Sequence, residues 1–304
     1  MGHIALSIFC SHVDELAGPD AEGLVALARA VEDAGADQIV LSEHVVLAAE
    51  IEAHGPGGAA FPFPSDHTYP EPLIALAAIA GATSRVRLAT GILIAPLRPA
   101  IVLAKMAATL DVLSGGRLDL GVGAGWHRAE LQAAGIDPAA ATAMLEDIVG
   151  ACRALWVGDA ATFHSPTVQF EGLYCRPAPR QGTALPVWFA GPLAPSTFRR
   201  IARLGDGWVP FGNTSVADIA RGAELLTAAA REHGRDPSTL GIRASLPVGS
   251  EPDPRQRLDA ALACAPAFVD AGATTLQLPI SRLASRPEDV GTVVSDAVAA
   301  LSRM

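Results

Sequence analysis

A short β-prone apolar run followed by a helical run recurs from one end of this chain to the other, and that alternation limits the fold more than any other feature. The strand-like runs are His3–Phe9, Asp37–Ser42, Val86–Ile94, Arg117–Val122, Pro186–Ala190, Gly207–Phe211, Gly241–Val248 and Thr274–Pro279. The helical runs are Asp20–Ala34 with Asp20 as its N-cap, Pro72–Ala82, Ala100–Leu113, Arg128–Trp156 broken near Gly135 and Pro138, Pro195–Leu204, Val216–His233, Pro254–Ala271 and Pro287–Ser302. Strict alternation implies a parallel sheet covered by helices, and eight such units in 304 residues imply a closed α/β structure, the (β/α)8 TIM barrel. A single domain over residues 1–304 is expected, with an insertion after the fourth strand at about residues 128–182 whose later part, Asp159–Gly182, reads as irregular or as a hairpin. Asp33-Ala-Gly-Ala36 and Asp270-Ala-Gly-Ala273 form a weak internal repeat in which each Gly suits a left-handed helix stop. The competing fold is an open doubly wound sheet. It rests on Gly121-Val-Gly-Ala-Gly125, but position 126 is Trp where a dinucleotide fingerprint needs a third Gly.

Composition removes several functions. Half of the residues are hydrophobic, so a large core is available, and the net charge of -10 argues against nucleic acid and against anionic membrane surfaces. Lys105 is the sole lysine, which leaves one carrier for Schiff-base chemistry and none for a Walker-type phosphate loop. No basic n-region precedes the first apolar run, and the charge-poor stretch from Gln181 to Phe198 holds Pro186, Pro192 and Pro195 and cannot span a bilayer. Cys10, Cys152, Cys175 and Cys264 are far apart and suit free thiols in a reducing compartment, so a cytoplasmic protein is expected. No metal-ligand spacing is present among the histidines, so no metal is expected.

In a barrel, chemistry sits at the C-terminal ends of the strands. After the second strand comes Ser42-Glu43-His44, where the neighbouring acid is able to orient a histidine that could donate a hydrogen bond to a cofactor or exchange a proton. After the third, Thr90-Gly91-Ile92 suggests a bulge or a close backbone approach to a ligand. After the fourth, Gly123-Ala124-Gly125-Trp126 offers backbone N–H groups, and Trp126 with His127 an aromatic face. After the fifth, Ala190-Gly191-Pro192-Leu193-Ala194 opens a helix whose N-terminus suits a phosphate. Each has a plain structural reading as well: a loop histidine held by backbone, tight barrel packing, a structural turn, and helix capping. Trp208, with Phe211 after it, reads more readily as core than as a cofactor stack.

Taken in order, Ser42-Glu-His44, Tyr69-Pro-Glu-Pro-Leu73, Arg85-Val-Arg-Leu-Ala-Thr-Gly91, Leu103-Ala-Lys-Met-Ala-Ala-Thr-Leu-Asp111, Leu113-Ser-Gly-Gly-Arg117, Leu120-Gly-Val-Gly-Ala-Gly-Trp126 and Arg203-Leu-Gly-Asp-Gly-Trp208 resemble the bacterial luciferase-like superfamily of flavin- and deazaflavin-dependent oxidoreductases. The resemblance spans nearly the whole chain. It implies a (β/α)8 barrel with a flavin-type ring at the strand ends, His44 and Glu43 beside it, and a non-proline cis peptide at Gly91–Ile92 behind it. It places the cofactor phosphate at Gly123–Gly125 and Gly191–Ala194.

Glu43-His44 and the Gly-Val-Gly-x-Gly-Trp turn look most like members that use coenzyme F-420, which is placed ahead of FMN. The reading is thus hydride transfer between the deazaflavin and a small-molecule substrate, with an FMN monooxygenase as the alternative. A non-redox barrel enzyme such as an aldolase, or a non-catalytic cofactor-binding barrel, comes behind both. The loop Gly55–Pro64 would cover a pocket formed by Phe61, Phe63, His67, Tyr69, Trp208 and Phe211. Ala48 and Trp126 stand where related sugar-phosphate dehydrogenases carry an aromatic and an acid, so that substrate class is not expected. Glu130, one turn beyond, has no assigned role. The apolar composition suits a homodimer.

Overall fold

The computed structural model describes residues 3–11, 13–18, 21–51, 61, 63–212 and 214–304. The expected N-cap Asp20 and most of the loop Gly55–Pro64 lie outside these residues. Nine strands form one sheet: β1 (Ala5–Phe9), β2 (Gln38–Leu41), β3 (Arg87–Thr90), β4 (Leu93–Ile94), β5 (Leu118–Gly123), and, after a separate hairpin of β6 (Ala161–His164) and β7 (Gln169–Leu173), β8 (Val187–Ala190), β9 (Gly207–Val209), β10 (Gly241–Ser245) and β11 (Thr275–Pro279). All pairings within it are parallel. The strand order β3-β2-β1-β11-β10-β9-β8-β5 closes on itself, because β3 also pairs with β5 through Leu88–Leu118 and Ala89–Asp119. A closed ring has no edge strand, so the open doubly wound alternative does not apply.

The expected third strand, Val86–Ile94, is in fact two. It breaks at the cis Gly91–Ile92 peptide, and β4 continues against β5 beyond the break. β3 and β4 therefore fill one barrel position, and the barrel has eight. The helices α2 (Ala21–Asp33), α3 (Pro72–Ala82), α4 (Ala100–Leu113), α7 (Pro195–Leu204), α8 (Val216–Glu232), α9 (Pro254–Asp270) and α10 (Val290–Leu301) lie where the periodicity predicts them. Before α2 there is a short helix, α1 (Asp14–Ala17), which the pattern does not suggest. The helical stretch after β5 divides into α5 (Arg128–Ala133) and α6 (Ala141–Leu155), around Gly135 at φ 76° and Pro138. In the internal repeat, Gly35 (φ 91°) and Gly272 (φ 108°) take the left-handed conformation that turns each helix back to the sheet. No described helix is long and apolar enough to cross a membrane.

In-register residues on neighbouring parallel strands share a face. Outward positions such as Ile39, Leu88, Leu118, Val187 and Phe189 are fully buried under the helices. Trp208 belongs to this outer layer: its ring stands edge-on to Phe198 of α7 at 5.0 Å and its Nε1 donates to the Gly191 carbonyl at 2.9 Å. Gly222 of α8 makes room for it, since a Cβ there would come within 2.2 Å of the indole. The expectation that Trp208 lines a pocket is therefore corrected; it sits between sheet and helices.

The inner layer is polar at one level. Ser7 donates to Gln38 (2.8 Å), Gln38 Nε2 donates to Asp119 (2.5 Å), and Arg87 donates twice to the same carboxylate (2.8 and 2.6 Å). Trp188 also points inward and lies across β9 and β10, where glycines 207 and 241 leave space for its ring.

Glu32, at the end of α2, ties that helix to the start of the third barrel position. Its carboxylate accepts from the N–H groups of Ser84 (3.0 Å), Arg85 (2.7 Å) and Val86 (2.8 Å). Burial works against its charge, but those three N–H donors and the Arg85 charge outweigh it, so its pKa lies below the ordinary carboxylate value. A lowered folded pKa adds stability above the unfolded pKa, and that stability is lost as the pH falls through the folded value. Glu32→Gln is expected to cost about 1–3 kcal/mol in urea unfolding at neutral pH. The gap between variant and wild type should narrow in acid.

Candidate active site

The chain leaves β2 through Ser42, whose N–H and hydroxyl meet Ser11 Oγ at 2.7 Å. Two residues on, His44 stands at the strand end where a barrel collects its chemistry. Its Nδ1 lies 2.9 Å from Glu130 Oε2, on α5 after β5. The other oxygen of Glu130 accepts from Val45 N (2.5 Å) and Val46 N (3.3 Å). The Glu130 side chain is 1% exposed and that of His44 8%. An ionised carboxylate can only accept, so the pairing fixes the proton on Nδ1 and leaves Nε2 as the nitrogen that can exchange with a ligand.

Aromatic rings surround this imidazole. Tyr69 (5.1 Å), Trp126 (5.6 Å) and Phe61 (5.7 Å) each present an edge-to-face contact to it. Phe61 also meets Trp126 and Phe63, and Phe63 stacks on His67 at 4.9 Å. Burial, with the Glu130 charge behind it, pushes the Tyr69 phenol up, so it stays protonated through the physiological range. His127 completes the wall: its Nε2 accepts from Ala48 N at 3.1 Å, and its Nδ1 is buried without a partner.

Of the residues expected to form the pocket, Phe61, Phe63, His67 and Tyr69 come together, joined by the expected catalytic His44 and cofactor residue Trp126. Phe211 does not: it is 37% exposed beyond β9 and joins none of these ring contacts. Glu43 also stands apart from its expected role. It is buried, accepts from Ile94 N at 2.6 Å, and pairs with Arg98, whose guanidinium also reaches Glu71 at 2.6 Å. Burial raises the Glu43 carboxyl, with Arg98 pulling the other way; desolvation works against the Arg98 charge, and its two carboxylates more than offset it. Both oxygens of Glu43 are thus spent on holding β4 beyond the break, and the correction is physical: the acid that orients His44 is Glu130, not its neighbour in sequence.

The remaining expected cofactor residues line the same strand ends. The Thr90 hydroxyl is used internally, donating to the Gly121 carbonyl at 2.6 Å. Ile92 packs on Gly123, where a Cβ would meet it at 2.8 Å, while Gly91 packs on Val40, where a Cβ would come within 2.3 Å. Gly125 has φ 84°, which turns the chain into Trp126 and α5, with Ala124 packed on the neighbouring apolar cluster. Ala190 ends β8, and Gly191, Pro192 and Leu193 lead to Ala194, which caps α7 with no side-chain hydrogen bond. The first turn of α7 carries no acid, so no side chain there would oppose an anion, although Thr197 N already donates to the Ala194 carbonyl at 3.0 Å. Among the described residues no group of three or more His, Cys, Asp or Glu is arranged to hold a metal ion.

The arrangement defines a closed parallel (β/α)8 barrel with a carboxylate-oriented imidazole in an aromatic mouth beside a broken third strand. The chain belongs to the luciferase-like monooxygenase family, whose model matches residues 3–291. It is 34% identical over 213 residues to an uncharacterized protein of Mycobacterium tuberculosis, covering 69% of this chain and 74% of that one. In fold it is similar to an F420-dependent secondary alcohol dehydrogenase in complex with an F420-acetone adduct (TM-score 0.78, 17% identity, 99% of each chain). It is also similar to the oxygenating constituent of 3,6-diketocamphane monooxygenase of Pseudomonas putida in complex with FMN (TM-score 0.68, 16% identity, 91% of this chain and 92% of that one). At these identities the two structures speak for the fold.

Proposed function

We propose that this chain is an oxidoreductase whose barrel mouth holds the ring of coenzyme F-420, with FMN as the alternative, and that His44 handles a proton at its reacting face. The carrying observation is the buried His44–Glu130 pair, set among aromatic rings at the same strand ends as the break at Gly91–Ile92. The residues suit such a group. Aromatic edges and the apolar Ile92 suit a flat ring, while the uncapped, acid-free start of α7 suits a phosphate. Bound there, the cofactor would supply the hydride or electron chemistry.

The protein's own part is orientation and proton control. Glu130 fixes the imidazole tautomer and stabilises positive charge on it, so His44 Nε2 can take a proton from, or return one to, a substrate oxygen. Phe61, Trp126 and Tyr69 keep water from that nitrogen and strengthen its interactions. The two neighbouring folds, one carrying F420 and the other FMN, support either ring; the Gly-Val-Gly-x-Gly-Trp turn favours F-420. A Schiff-base barrel enzyme is disfavoured because Lys105 lies on α4 with its Nζ donating to the Arg176 carbonyl. A small-molecule substrate accords with the net charge of -10, and a cytoplasmic site of action with the free thiols of Cys10, Cys152, Cys175 and Cys264. A homodimer accords with the exposed Ile74 (68%), Ile101 (52%) and Leu113 (63%) on the adjacent helices α3 and α4.

Titration of the purified chain with F-420 and with FMN, followed by ligand fluorescence, tests the reading. Saturable binding of F-420 that exceeds FMN is expected. The reverse order moves the proposal to the FMN alternative, and binding of neither defeats it.

A further inference from the structure

One strong charge in the barrel has no role in the chemistry above. Arg243, on β10, is 1% exposed, and its guanidinium lies over the Trp188 ring at 5.0 Å. Its Nη1 makes a long contact of 3.5 Å to the Thr90 carbonyl, while Nε and Nη2 are buried with no hydrogen-bond partner. Asp119 acts on it only through space, because that carboxylate is already taken by Arg87 and Gln38. Burial lowers the Arg243 pKa to about 10, which still leaves it charged at neutral pH. Arg87 takes up Asp119 and also feels Asp111, so Arg243 is left with no carboxylate of its own.

Its place gives this charge a use. A Cβ on Gly91 would lie 3.9 Å from Nη1, so the guanidinium reaches the residue at which the third barrel position breaks. We infer that Arg243 is the fixed counter-charge for an anionic group at the floor of the mouth, and that this group is the pyrimidine edge of the cofactor ring in its two-electron-reduced form. The inference rests on the ring-binding reading above.

The charge balance is simple. A hydride-donating substrate loses a C–H pair and is oxidised, and the ring gains two electrons with one proton. One negative charge is left on the ring unless a second proton follows. A guanidinium with no carboxylate of its own stabilises negative charge added at the pyrimidine edge more than it stabilises the oxidised ring.

The test compares wild type with Arg243→Gln, Arg243→Met and Arg243→Lys, each loaded with F-420 and with FMN. Affinity for oxidised FMN, whose ring is neutral, should change by less than about threefold. Affinity for the ring reduced anaerobically with dithionite should fall about tenfold or more in the Gln and Met variants, the scale of one unit charge in a partly screened interior. For a two-electron couple each tenfold is about 30 mV, here toward lower potential. Lys should restore most of it. Arg243→Met should unfold at the same temperature as wild type or higher, because a lone buried charge gives no net stability. A lowered unfolding temperature with an unmoved potential would make Arg243 structural and overturn the inference. So would an unmoved potential accompanied by a raised KM for a carboxylate substrate. If wild type binds neither ring, the ring-binding reading falls with it; if wild type binds and the potential does not move, only this inference falls.

Discussion

Replacing His44 with alanine is expected to lower turnover by about 10²–10⁴-fold, the range of a positioned acid–base group, while cofactor affinity changes by a few fold at most. The expectation follows from how the imidazole is held. Its Nδ1 is committed to Glu130, and that carboxylate also fixes the backbone of Val45 and Val46, so both orientation and proton position are set before a substrate arrives. Glu130→Gln keeps an oxygen for these N–H groups but removes the negative charge. It should lower kcat with little change in cofactor Kd, a split that a general loss of folding would not give. Steady-state kinetics beside fluorescence titration of each variant separate the two.

Arg98→Ala should have the largest effect on stability, about 3–5 kcal/mol. Its guanidinium is the partner of a Glu43 side chain that is 1% exposed, and its loss leaves that carboxylate buried with only Ile94 N–H to meet it. The same pair pins β4, so the damage should reach the strand ends and weaken cofactor binding as well. Chemical denaturation measures the first effect. Arg98→Ala combined with Glu43→Gln should recover a large part of it, because the second change removes the stranded charge. An Arg98→Ala variant as stable as wild type would mean that the pair holds nothing in place.

The barrel was legible because period and order carry it: apolar runs of strand length, helix stops at Gly35 and Gly272, and eight units. The break within the third barrel position was only partly visible: Gly91 within the apolar run Val86–Ile94 signals a bulge, and the cis peptide at Gly91–Ile92 came from the family resemblance alone. The site was legible in its aromatic part, since Phe61, Phe63, His67, Tyr69 and Trp126 lie in segments next to strand ends. Its electrostatics were not. Glu43 sits beside His44 in sequence, but successive residues leave a strand end in different directions, and Glu43 turns down to Arg98. Glu130 is 86 positions away and meets His44 only because the barrel brings β2 and β5 to one rim. Trp208 illustrates the same limit: a three-residue strand gives too little alternation to tell its inner face from its outer one. Arg243 gave no signal at all, since one charged residue in an apolar strand looks like an edge position until closure buries it.

The decisive measurement is a crystal structure of the chain soaked with F-420 or FMN. The tricyclic ring should rest against Gly91–Ile92, with His44 Nε2 within hydrogen-bond reach of the reacting face or of a substrate on it, and Glu130 still on Nδ1. A ring lodged outside the strand ends, or an imidazole turned away from it, would overturn the assignment of this barrel mouth as the ring site.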